Sequence, residues 1–321
     1  MSAVVLPGRA AVHAAAPSRL HLTSWDRLRV IAALDTVALH LGGQHAIFGF
    51  GLPLFLILSI ALGVSKTEAR PTGRFLSRRV ERILVPWAFW SVVIVGLRCL
   101  YEVREGDPAF GWAEPTMLLY GPRIHLWFLP FILGAGLAAH LFHRVVRRSR
   151  LAVLAAVLAS GALLLVPPLL SLPWPFQQWV FSLPAIPLGF ALGRALAFER
   201  SLARLRLLLG AGLVTFLGLG LIAWAMDPRA GLYAFRFAGG LGLLVVATFL
   251  PNRADRWTAH FTPLMLGVYI LHPVVYLWLV KPLMCAVELN HVLWLRVVLA
   301  FPATMLSVWA LRKVPFFRRV L

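Results

Sequence analysis

The chain has 321 residues, 60% of them apolar and 13% charged, with a formal net charge of +19. Soluble domains average roughly 45–50% apolar and 25% charged, so this composition excludes an ordinary soluble enzyme and points to a polytopic membrane protein. The surplus of Lys and Arg is spread over several short loops rather than gathered in one patch, which excludes nucleic acid as a partner and leaves anionic membrane lipids as the expected one.

Residues 1–24 read as a loose cytoplasmic arm. The segment AAVHAAAP is short, broken by His13 and followed by no cleavage pattern, so it does not read as a secretory signal. The spacing then predicts an all-α membrane helix bundle of about ten transmembrane helices. They fall near 27–44, 47–64, 83–100, 124–142, 151–170, 178–198, 207–226, 232–250, 261–280 and 291–311. The membrane domain spans 25–311, and 312–321 is a basic cytoplasmic tail. Basic residues alternate between loops. Six of them lie in 65–82, and Arg144, Arg147, Arg148 and Arg150 follow in 143–150, whereas LGGQHA and SLPWPFQQ hold none. Cytoplasmic loops collect Lys and Arg, so both termini are expected in the cytoplasm. Cys99 and Cys285 both fall near the outer face, and two unpaired thiols are expected rather than a disulfide. No internal repeat relates the two halves.

Ionisable groups inside a span are costly and usually face a polar cavity. In the first span, RVIAALDTVALH places Arg29 and His40 eleven residues apart, which returns a helix to within about 20° of its starting direction after a rise of about 16 Å. Ala33 and Thr36 lie between them on the same stripe, leaving room for an elongated molecule or for a close-packed helix. Asp35 points about 100° away from Thr36, and its expected partner is Arg236 or Arg296 across a cavity. The bland alternative makes Arg29 a boundary anchor and His40 a packing histidine. Arg98 and Arg194 lie close enough to span ends to reach the headgroups.

The chain resembles the acyltransferase 3 family of integral-membrane acyltransferases, which modify sugars of envelope polysaccharides and related acceptors. The resemblance rests on Arg-x10-His at Arg29 and His40, on GLPLFLILS at 51–59, on FLSRRVERILVP at 75–86, on HLWFLPFILG at 125–134 and on GVYILHPVVY at 267–276, in family order. Ile60 replaces a usual glycine and Asp35 a usual aliphatic residue. The glutamate of the branch fused to an esterase-like domain is missing near 125, and the chain stops at Leu321, so any acceptor is expected to be handled by the membrane unit alone.

The resemblance implies a multi-pass protein of the bacterial inner membrane that moves an acyl group from acyl-CoA, usually acetyl-CoA as co-substrate, to a hydroxyl of a saccharide or glycoconjugate at the outer face. Imidazole can take the acceptor proton or carry the acyl group, which assigns His40 to catalysis, with Arg29 at the inner end of the same stripe to bridge it to the donor. Guanidinium groups suit phosphates, so Arg78, Arg79 and Arg82 are candidates for the donor; the positive-inside rule explains the same residues without a ligand. His125 and Trp127 are candidates for the sugar, Trp127 equally for an aromatic belt. Tyr269 and His272 share a helical face, and Pro273 frees a carbonyl beside them; Arg236 and Arg296 complete the candidate substrate-binding set, with Asp35 in support. The histidines lack zinc spacing, and no Walker or dinucleotide pattern appears. The competing function is export or flipping of a saccharide without acyl transfer, since intramembrane charge marks transport paths too.

Overall fold

The computed structural model describes residues 23–42, 49–65, 71–108, 110, 112–146, 150–166, 170, 172–173, 175–198, 201–251, 253 and 255–321. The expected arm, apart from Thr23 and Ser24, lies outside them. Among the described residues no strand occurs, and ten principal helices follow one another: α1 (Thr23–His40), α2 (Gly51–Val64), α3 (Thr72–Glu105), α4 (His125–Val146), α5 (Arg150–Leu163), α6 (Phe176–Phe198), α7 (Leu202–Met226), α8 (Pro228–Ala247), α9 (Arg256–Ala286) and α10 (Leu293–Leu311).

Seven of these, α3, α4 and α6 to α10, are long and apolar enough to cross a membrane. The remaining three fall short of the expected span for different reasons. Helix α1 carries Asp26, Arg27, Arg29 and Asp35, and α2 and α5 have 14 residues each, about 21 Å of rise against a hydrocarbon core of about 30 Å. Helix α2 is nonetheless the centre of the bundle, with Leu54, Leu56, Ile57, Leu58, Ile60 and Ala61 buried. Buried in protein, its ends need not reach the lipid surface.

Close approach explains how α2 is enclosed. On α6, Gly189 and Gly193 stand four apart, and a Cβ on either would collide with Ile60 or Val64 of α2. Small residues at this spacing let two helix backbones meet. On the other side Gly51 lies directly against Ala32 and Asp35 of α1.

Helix α3 begins eleven residues before the apolar run at 83 because its first turns, TGRFLSRR, form an amphipathic entry in which Phe75 is buried and Arg79, one turn on, lies over its ring at 5.4 Å. Two π turns interrupt the long helices, Val80–Leu84 in α3 and Tyr276–Val280 in α9. Each ends two residues before a proline, Pro86 and Pro282, which cannot donate to the carbonyl four residues back. The preceding turn widens instead to Val85 N–H on the Val80 carbonyl and Lys281 N–H on the Tyr276 carbonyl.

The basic tail is packed rather than trailing. Trp90 Nε1 donates to the Val320 carbonyl at 2.7 Å, Phe317 packs with Phe89 and Trp90, and Leu321 reaches Gly267 on α9. At the same end Asp255 caps α9 through the Thr258 N–H and binds Arg27 of α1 at 2.7 Å. The Thr258 N–H and hydroxyl, then Arg27, hold the Asp255 carboxyl below its usual range. No disulfide joins Cys99 and Cys285.

Candidate active site

Three histidines from three distant helices meet in the bundle. His40 ends α1, His125 begins α4 and His272 lies in α9. His40 Nδ1 is 2.9 Å from His272 Nε2, with the rings stacked at 5.0 Å and 7°. The His125 ring stands edge-on to both, 6.1 Å from His40 and 5.4 Å from His272. His272 (0% exposed) and His125 (2%) are buried, whereas His40 remains accessible.

The hydrogen bonds assign the tautomers. Pro273 has no N–H for the Tyr269 carbonyl, and His272 Nδ1 takes that carbonyl at 2.8 Å. A carbonyl only accepts, so His272 Nδ1 bears the proton and, in the neutral ring, Nε2 presents a lone pair to His40. His40 Nδ1–H then donates to it, and the lone pair of His40 is left on Nε2, pointing away from His272. His125 Nε2–H donates to the Ile270 carbonyl at 3.2 Å, and the Tyr269 hydroxyl donates to the His125 carbonyl.

Two cavities approach this cluster from opposite ends of the bundle. One, of about 350 Å³, lies among α1, α2, α3, α4 and α9; Arg29, Arg78, Arg79 and Arg82 line it, and it reaches Phe128 and Tyr269. Those two rings, 5.1 Å apart, form its floor, and Tyr269 is 6.3 Å from His272. One aromatic layer thus separates the arginines' cavity from the histidines. Arg79 is seated firmly: it donates to the Ser59 carbonyl at 3.1 Å and passes so close to Gly63 that a Cβ there would lie 2.6 Å from Nη2. The second cavity, of about 840 Å³, lies between the far ends of α3 and α9 and has His125 in its wall. Each π turn borders one cavity, the first beside Arg82 and Ile83, the second beside Leu277 and Trp278.

Other expected residues are placed differently. The stripe between Arg29 and His40 is not an open slot: Thr36 donates to the Ala32 carbonyl at 2.8 Å, and α2 packs on it through Gly51. Asp35 accepts from the Gly49 N–H at 3.0 Å and the Gly51 N–H at 2.7 Å, so the groups that hold it are backbone donors at the start of α2. Arg236 packs on Gly49, near enough for its charge to act on Asp35, while Arg296 donates to the Leu41 and Asn290 carbonyls. Both arginines therefore hold the junction of α1 and α2. Trp127 is buried against Phe128 and Phe131, which places it in the core rather than at either cavity. Ser59 and Phe128, both in cavity walls, lie inside the motifs that carry the resemblance, and Arg123, just before the fourth expected span, lies in the wall of the second cavity.

A family model of an acyltransferase domain matches residues 22–313, nearly the whole chain. The chain belongs to the acyltransferase 3 family. This acyltransferase 3 membrane protein matches no curated protein and no solved structure. The match includes every residue of the histidine cluster and of the arginine-lined cavity.

Proposed function

We propose that this protein transfers an acyl group, most simply acetyl from acetyl-CoA, to a hydroxyl of a saccharide or glycoconjugate. The observation that carries the reading is the gathering of Arg29, Arg78, Arg79 and Arg82 around one cavity whose floor adjoins His40, His125 and His272. The arginines suit the phosphates of CoA at the mouth, and the apolar walls of Phe55, Leu62 and Leu129 suit the pantetheine arm. The thioester then needs to pass only the Phe128–Tyr269 layer.

At the cluster, His40 Nε2 takes the proton of the acceptor hydroxyl as its oxygen bonds to the thioester carbon. The C–S bond then breaks and the thiolate receives that proton. His272 Nε2 accepts from His40 Nδ1–H throughout, a bond that strengthens when His40 becomes cationic. His40 Nε2 also serves a two-step route through an acyl-imidazole. The alternating basic loops support an orientation with the arginine cavity at the cytoplasm and the second cavity at the outer face.

The test is incorporation of radiolabelled acetyl from acetyl-CoA into envelope glycoconjugates by the purified full chain in liposomes. Transfer is expected, and Arg79→Gln/Arg82→Gln should raise the donor KM by about tenfold or more, with the acceptor KM little changed and Lys replacements recovering part of the loss. A saccharide moved across the membrane without label would favour export. An unchanged donor KM with reduced abundance would leave the arginines as topology signals.

A further inference from the structure

The larger cavity has a chemistry of its own. Arg98, Arg104, Arg123 and Lys281 line it together with Glu102 and Glu105, an excess of cations over carboxylates. Glu102 is already engaged, since it accepts from Arg98 Nε at 3.4 Å. Arg98 also lies 4.0 Å over the Trp112 ring. Arg123 stands close enough to Arg98 and Glu102 for both charges to act on it. Among the described residues neither the Arg123 guanidinium nor the Lys281 ammonium has a hydrogen-bond or ion-pair partner. Arg123 beside Arg98, with one carboxylate between them that is already taken, and Lys281 in the same wall favour an anion.

The rest of the wall says what the anion is attached to. Tyr101 (53% exposed) and Trp278 (48%) offer aromatic faces. Leu97, Leu100 and Leu277 form an apolar side at the depth of the spans, and His125 links the cavity to the histidine cluster. We infer that this cavity is the acceptor site and that the acceptor is an anionic, lipid-tailed saccharide. Arg123 and Lys281 hold its anionic group, its sugar lies on Tyr101 and Trp278, and its alkyl chain follows Leu97, Leu100 and Leu277. This rests on the acyl-transfer reading only for the word acceptor; the binding preference stands without it. The anion is either a phosphate or a sugar carboxylate, two sources of the same chemistry.

Three soluble probes that differ only in the anion separate the possibilities: hexyl glucoside, hexyl glucoside 6-phosphate and hexyl glucuronide, titrated calorimetrically into the full chain in lipid nanodiscs. At least one anionic probe should bind tenfold or more tighter than the neutral one, and which of them wins identifies the source. Arg123→Gln/Lys281→Gln should remove that preference while leaving hexyl glucoside within about twofold, and Arg123→Lys/Lys281→Arg should restore much of it. Equal binding of all three probes would overturn the proposal, as would a preference that survives the Gln pair. Displacement of the probes by coenzyme A would overturn it too, since the cavity would then be the donor's. If the preference is found but no acetyl is ever transferred, the function proposed above fails and this site stands.

Discussion

His272 makes His40 a one-sided base. Its own Nδ1 is tied to the Tyr269 carbonyl, so its Nε2 can only accept from His40, and the reactive lone pair of His40 is fixed on the nitrogen that points away from His272. His272 is thus a positioning residue. His272→Leu should lower kcat by about 10²-fold or more without raising the donor KM, and His272→Gln, which can still accept, should recover part of it. A shift of the acidic limb of the pH–rate profile in both variants, read on purified protein, separates this role from simple packing. At this scale the sequence was partly legible. Arg-x10-His and the carbonyl freed by Pro273 could both be seen, but the contact between His40 and His272 spans 232 residues, which no local pattern reports. Trp127 was misplaced for a related reason: an indole near a span end looks the same whether it faces a cavity or a neighbouring helix. For Asp35 the charge of Arg236 was legible, but the backbone donors of Gly49 and Gly51 were not.

Helix α2 shows how one element depends on another. It has no side-chain cap of its own, since its N-cap residue is Phe50, and Asp35 of α1 supplies the acceptor for the N–H groups of Gly49 and Gly51. A carboxylate at a helix N-terminus also opposes the positive end of the helix dipole. Asp35→Ala should therefore destabilise the fold by about 1–3 kcal/mol for each buried N–H left without an acceptor, and Asp35→Asn by less, because its amide oxygen still accepts. Thermal unfolding in detergent measures this, and an unchanged midpoint for the Ala variant would contradict it. The apolar runs marked where nearly every helix lies, yet helix ends moved. Helix α3 starts at Thr72 because its amphipathic turns extend the apolar run, and α9 continues past 280 because Pro282 is accommodated by a π turn rather than ending the helix.

Over the whole molecule the two cavities give the bundle a direction, from an arginine-lined end to the end that holds Arg123 and Lys281. The alternating charge of the loops predicts which end is cytoplasmic. With Cys99 and Cys285 replaced, single cysteines at Ser77 and Gln177 should react with an impermeant maleimide from opposite sides of intact cells and inverted vesicles. Labelling of both from one side would overturn that orientation. The class of fold was readable from composition because hydrocarbon solvent demands apolar runs. The docking of residues 312–321 beside Trp90 was not, since a basic tail carries no pattern that says where its Phe316, Phe317 and Val320 pack.

The account turns on His40, and acetyl transfer by the purified His40→Ala protein in liposomes tests it most directly. The arginine-lined cavity ends at Phe128 and Tyr269, short of His40, so the variant should bind acetyl-CoA as the unaltered protein does and transfer no measurable label to glycoconjugates. Turnover near that of the unaltered protein would contradict the account and leave His40 a packing residue at the end of α1.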